Sequence, residues 1–247
     1  LVFDQLHHKY YFNGVELDGA TTWISKTFCV PFDENNGHIF KSQSKAKKNA
    51  ANNVGITNAT ALRHIWNLDR ERTSSLGTAV HTYAQMLHIY RQYGSDLLPE
   101  YGFEQSVYNA YNKITTIWDI VDIERAVYDL QYKIAGTIDL VLQHKKTKKY
   151  GIGDWKTFRD IDKTYNKMKG TLKEFPDSPR TKASVQLHLY DVIGNIKAEN
   201  HYVINVKADG TFIVAGGKDN PLPAVRPGLM LALNTRLLKC NTIDNLI

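Results

Sequence analysis

Residues 136–157 read GTIDLVLQHKKTKKYGIGDWKT. Two runs rich in apolar residues, 136–143 and 149–157, flank a polar, Lys-rich HKKTK turn, the pattern of two strands joined by a hairpin. Side chains on a strand alternate between faces, so Asp154 and Lys156 project to one side and Trp155 to the other. Antiparallel pairing across the turn would bring Asp139 close to Asp154. Two carboxylates about 4–5 Å apart repel by roughly 4 kcal/mol at an effective dielectric near 20. Folding tolerates such a pair if one member is protonated or a cation lies between them. Oxygen ligands of this kind suit Mg²⁺ or Mn²⁺, and Lys156 adds a charge that can hold a phosphate or assist a water. A strand bearing Asp-x-Lys next to another bearing Asp is compatible with metal-assisted phosphodiester cleavage. Asp-x-Lys taken alone is common, however, and reads more readily as a surface ion pair.

Outward from this stretch the periodicity changes. Residues 122–132 are strand-like. Upstream, Leu76, Val80, Tyr83, Leu87 and Tyr90 in SSLGTAVHTYAQMLHIYRQY (74–93) form one apolar helical stripe, with Ser74 or Ser75 as its expected cap. A further helix follows Pro99, with Phe103, Val107, Ala110, Tyr111, Ile114 and Trp118 on its inner side. KYYFNGVEL (9–17) reads as a hairpin around Asn13-Gly14, a dipeptide suited to a type I′ turn. A helix is expected from Thr21 or Thr22, and a Lys- and Ala-rich helical stretch over 38–52. Downstream, the polar segment 158–181 is long for a connection and suggests a functional or mobile loop. A helix over 182–198, a hairpin across Ala208-Asp209-Gly210 and a helix from about Pro227 complete the chain. The expectation is a mixed α/β fold, a central β-sheet flanked by helices. Residues 1–75 would form an N-terminal hairpin and helical part packed on a core of 76–247.

The 247 residues, 43% of them hydrophobic, can bury a sizeable core. No stretch approaches the roughly 20 consecutive apolar residues of a membrane span, and the first residues do not resemble a secretory signal. The chain starts at Leu1 rather than Met, so an upstream segment is expected. Cys29 and Cys240 are the two cysteines, too few for a disulfide framework or an iron–sulfur cluster, and point to an intracellular, reducing compartment. The positive charge is clustered at Lys41, Lys45, Lys47 and Lys48, at Lys145, Lys146, Lys148 and Lys149, and at Lys163, Lys167, Lys169, Lys173, Arg180 and Lys182, within a net charge of +6. Such clusters attract polyanions, although solvated lysines need no partner.

Four motifs stand in order: Gly77-Thr-Ala-Val-His81, Gly136-Thr-Ile-Asp139, Gly153-Asp154-Trp155-Lys156-Thr157 and Gln186-Leu-His-Leu-Tyr190. Together they resemble the RecB-type branch of the PD-(D/E)XK nuclease superfamily over roughly residues 76–206. The opening ATTWISKTF and the short length look like its small phage and mitochondrial-genome-maintenance exonucleases. The resemblance implies a restriction-endonuclease-like core and a Mg²⁺- or Mn²⁺-dependent DNA exonuclease acting on single strands or free ends. Asp139 and Asp154 would be metal ligands, with His81 as a further ligand and the Trp155 carbonyl completing that side. Lys156 would orient the attacking water and offset charge on the phosphate. Gln186 and Tyr190, at i and i+4 on one helix face, would brace the lysine or touch the scissile strand. Glu124 is a candidate acidic partner, although beside Arg125 it also reads as half of a surface pair.

Lys41, Lys45, Lys47, Lys48, Thr157, Lys163, Lys167, Lys169, Arg180 and Lys182 would contact DNA, with Trp66 and Phe158 as base-stacking candidates. A replication or recombination protein is an expected partner, and host cytoplasm the expected compartment if the source is viral. A structure-selective endonuclease of the same fold, or a catalytically silent DNA-binding module, are the competing readings.

Overall fold

The computed structural model describes residues 1–4, 9–31, 59–164 and 166–244. The expected helical stretch 38–52, with Lys41, Lys45, Lys47 and Lys48, lies outside them. The chain divides into two compact units, one of Leu1–Val30 with Val80–Ile247, the other of Pro31–Ala79.

Among the described residues, eight strands and five helices form a mixed α/β fold. The strands are β1 (Val2–Asp4), β2 (Lys9–Phe12), β3 (Val15–Gly19), β4 (Trp118–Asp129), β5 (Ile134–His144), β6 (Tyr150–Lys156), β7 (Asn200–Val206) and β8 (Phe212–Ala215). The helices are α1 (Ala20–Phe28), α2 (Ala59–Gln92), α3 (Gly102–Thr115), α4 (Pro179–Ile193) and α5 (Arg226–Asp244). The sheet order is β1-β2-β3-β5-β6-β7-β8, with β4 along the other edge of β5. The pairs β3–β5 and β6–β7 are parallel and the others antiparallel.

Alternation along the central strands divides the core in two. Val141, Ile152 and Val203 pack with Trp23, Ile24 and Phe28 of α1, Leu187 and Leu189 of α4, and Leu229 and Leu233 of α5. Leu140, Leu142, Trp155, Ile204 and Val206 pack with Val80, Tyr83, Ala84 and Leu87 of α2 and Val107, Ala110 and Tyr111 of α3. The sheet is thus covered by helices on both faces, which its parallel pairs require.

The Asn13-Gly14 turn is as expected: both residues have positive φ, 47° and 81°, and join β2 to β3. Several boundaries differ. Ser74 and Ser75 lie inside α2 rather than at its start, because Leu62 through Thr73 continue in helix-forming residues. In the second unit the described residues are that part of α2, where Thr73 and Thr78 hydroxyls donate to the Asp69 and Ser74 carbonyls. Trp118 opens β4 instead of ending a helix, since α3 stops at Thr115. α4 spans 179–193 rather than 182–198: Pro179 fits its first position and the Ser178 hydroxyl accepts the Thr181 N–H at 3.2 Å.

The segment before α4 is no loose loop. Ile161, Met168 and Leu172 are buried, and Phe158 and Phe175 pack against the same core. A 3-10 turn at Gly170–Leu172 and a bridge between Lys167 and Pro176 give it shape. Its apolar residues are spaced for a folded-back chain rather than for a helix or strand, so periodicity passes over them.

Candidate metal and catalytic centre

The site is built where one edge of β5 is left without a neighbour. β3 meets β5 at Ile134 and Ala135, and β6 meets it from Leu140 to Gln143. On that edge, Gly136 to Asp139 have no strand partner among the described residues. Pairing of Leu140 with Gly153 makes Asp154 the residue opposite Asp139. On the other edge, Ile123 pairs with Leu140 and Arg125 with Ile138, which sets Glu124 opposite Asp139. Glu124, Asp139 and Asp154 therefore stand abreast on three neighbouring strands. Regular pairing ends at this row on the β6 side and skips it on the β4 side, resuming at Arg125 and Ile138. On the β4 side Glu124 adopts φ +48°, just beyond a register shift between Ile120 and Asp122. A non-glycine residue held there stores about 1–3 kcal/mol of strain, a pattern that concentrates at functional sites.

The side chains converge. The Trp155 N–H, which has no β5 carbonyl opposite it, donates to Asp139 Oδ2 at 2.7 Å. His81 enters from α2, its Nδ1 3.5 Å from Asp139 Oδ2 and 3.6 Å from Glu124 Oε1. Ligand atoms of His81, Glu124 and Asp139 all lie within 4.8 Å of one another. Donors on one small divalent ion stand about 2.9 Å apart when adjacent and about 4.2 Å when opposite, so this set needs little movement to share one.

Asp154 is 1% exposed. Its Oδ1 accepts a long hydrogen bond from Gln186 Nε2 at 3.4 Å. Lys156 Nζ lies 2.6 Å from Asp154 Oδ2, in ion-pair contact but off the line of a hydrogen bond. Gln186 Nε2 also donates to the Tyr190 hydroxyl at 3.0 Å. Gln186 and Tyr190, one turn apart on α4, thus brace Asp154 rather than the lysine. Gly136 is what admits Tyr190: a Cβ there would lie 2.3 Å from the tyrosine ring.

Electrostatics follow from burial. Desolvation, then the Asp154 charge, hold the Asp139 carboxyl well above the usual carboxylate range, against His81 and Lys156. Burial works against the Lys156 charge, but Asp154 and Asp139 outweigh it and raise the ammonium's pKa. Burial opposes His81 as well, and Glu124 and Asp139 reverse the sign, so the imidazole is more basic than usual. Desolvation keeps the Tyr190 hydroxyl protonated. A row of three acids, two of them buried, is a site that a divalent cation would relieve.

The expected DNA contacts fare differently. Lys163 and Lys167 are exposed, and Thr157 and Lys169 half-buried, on the chain leaving β6. Arg180 is neutralised locally: Nε and Nη2 bond Asp162 at 2.5 and 2.9 Å, and Nη1 bonds Asn220 at 2.7 Å. Lys182 pairs with Asp177 at 2.7 Å. Phe158 packs inward. Asn205, which sequence reasoning missed, is fully buried on β7 beside Lys156, bonding the Phe158 N–H at 2.7 Å and carbonyl at 3.0 Å. A lone amide inside the apolar run of β7 was the available signal.

Beyond Gln186, α4 carries a second polar cluster. The His188 and His201 rings are 4.1 Å apart. Asp191 accepts from Arg226 at 2.6 Å and from the Ala198 N–H at 2.8 Å, with His201 Nε2 at 3.7 Å. Burial, then His201 and Arg226, push His188 down to about 4. The unfolded chain would take that proton near pH 6.5. The folded state therefore binds fewer protons between these values, and stability falls as pH drops from about 6.5 to 4. Burial opposes the Asp191 charge, yet its His201 and Arg226 neighbours hold it well below the usual range, so its contribution persists through that window. Thermal melts across pH 4–7 should show a wild-type decline that His188→Gln flattens. Equal slopes for the two proteins would remove His188 as the cause.

No family model matches the chain, and no curated protein is significantly similar to it. Among the described residues, no helix is long and apolar enough to cross a membrane.

Proposed function

We propose that the chain is a Mg²⁺- or Mn²⁺-dependent deoxyribonuclease of the PD-(D/E)XK superfamily, RecB-type, acting on single-stranded DNA or free ends. The observation that carries this is the row Glu124–Asp139–Asp154, at the end of the β5–β6 ladder and flanked by His81 and Lys156. Asp139, Asp154, Glu124 and His81 would hold the cation, with the Trp155 carbonyl as a further oxygen. The cation supplies Lewis acidity toward the phosphodiester. Lys156, kept charged by its two carboxylates, positions the attacking water and offsets charge developing on the phosphate. Gln186 holds Asp154 in place, and Tyr190 anchors Gln186. Burial on both faces of the sheet keeps these groups fixed before substrate arrives, which is what makes a charged site effective. DNA, and a replication or recombination protein acting with the nuclease, are the proposed partners.

Digestion of a linear single-stranded oligonucleotide beside its circular form, with Mg²⁺, tests the substrate. The linear strand should be degraded and the circle survive. Cleavage of both would assign an endonuclease on the same centre. Survival of both, with Mn²⁺ as well, would contradict nuclease activity.

A further inference from the structure

Beyond Lys156 the chain does not swing free. Asn205 reproduces a peptide's hydrogen-bonding edge, taking the Phe158 N–H at 2.7 Å and giving to the Phe158 carbonyl at 3.0 Å. Lys207, one residue past the end of β7, donates Nζ to the Phe158 carbonyl at 2.6 Å and to the Arg159 carbonyl at 2.9 Å. An asparagine buried in the core and a lysine thus pin residues 158–159 to β7. This clamp presents Arg159.

Four cations around this segment are already engaged. Lys156 faces Asp154, Arg180 grips Asp162 and Asn220, Lys182 meets Asp177, and Lys207 is held by the two carbonyls. Asp160, next in sequence, accepts the Asp162 N–H instead of turning to Arg159. Among the described residues the Arg159 guanidinium has no hydrogen-bond or ion-pair partner, and the residue is exposed. It lies three positions on from Lys156, about 10 Å at full extension. A guanidinium at that remove reaches a phosphate one or two nucleotides from the cleaved bond, and its planar fork suits phosphate oxygens.

We propose that Arg159 is a phosphate-binding residue for the nucleic-acid strand, held at a fixed distance from Lys156 by the Asn205–Lys207 clamp. This rests on the nuclease reading. One charge that neutralises one phosphate contributes about 0.7 to the slope of log K against log salt for a single strand. Arg159→Gln, an exposed substitution that should not disturb folding, should weaken binding of a single-stranded oligonucleotide about tenfold and lower that slope by about 0.7. Arg159→Lys, which keeps the charge, should restore the slope.

The measurement is fluorescence anisotropy with an end-labelled oligonucleotide in Ca²⁺, titrated at several salt concentrations, with the wild type, Arg159→Gln and Arg159→Lys side by side. Arg159→Gln binding with wild-type affinity and slope would overturn the assignment of Arg159 while leaving the nuclease reading intact. A wild type that binds no oligonucleotide at any salt concentration would overturn both.

Discussion

Asp139→Asn is expected to melt above the wild type in EDTA and to lose the stabilisation that a divalent cation gives the wild type. Asp139 is 7% exposed, faces Asp154 across the opened ladder and has its pKa raised by burial and then by that charge. A carboxyl whose folded pKa lies above its unfolded value binds more protons folded than unfolded. Ionising it in the folded state therefore opposes folding, and metal-free stability rises as pH falls toward the unfolded pKa near 4. Asparagine removes the charge and keeps an oxygen for the Trp155 N–H that now donates at 2.7 Å. A cation present at 100 times its dissociation constant stabilises a protein by about 2.7 kcal/mol. For a domain of this size that is roughly a 5–10 °C rise in melting temperature. Differential scanning fluorimetry with Mn²⁺ and with EDTA reads both effects. A variant with the wild-type Mn²⁺ shift would place the cation elsewhere. This combination, a metal-free gain and a metal-dependent loss, is the exchange of stability for function expected of an active centre.

The second large effect concerns turnover. Asp154→Ala and Lys156→Ala should each lower the single-turnover cleavage rate by about 10³-fold or more, while oligonucleotide binding changes little. Lys156 Nζ lies 2.6 Å from Asp154 Oδ2, so either substitution removes the charge arrangement on which the other depends. The double variant should therefore be scarcely slower than either single one, because residues that act as a unit do not add. Additive losses would mean that the two act separately. Gln186→Ala, which removes only the brace on Asp154, should cost far less than either.

Much of this was legible because the decisive residues are close in sequence. The Lys-rich turn fixes the β5–β6 register, and that register alone puts Asp154 opposite Asp139. Asn13-Gly14 announces its turn through chemistry few other dipeptides share. Other features depend on distant residues. Glu124 enters the row through a left-handed backbone conformation and a register shift, neither of which an Ile-Glu-Arg triplet reveals. The segment before α4 looks polar, yet Ile161, Met168 and Leu172 tie it to the core through contacts with no period. Arg180 and Lys182 read as free charges until their partners Asp162, Asn220 and Asp177 fold beside them. Asn205 clamps a segment 47 residues away, a separation at which pattern reading carries no information.

The most direct test needs one protein and one substrate. Wild-type protein dialysed against EDTA is mixed with an end-labelled single-stranded oligonucleotide, and Mg²⁺ or Mn²⁺ is then restored. The strand should stay intact until the cation is added and be degraded afterwards. Degradation that proceeds in EDTA, or an intact strand with both cations, would contradict a divalent-cation centre built from His81, Glu124, Asp139 and Asp154 beside Lys156.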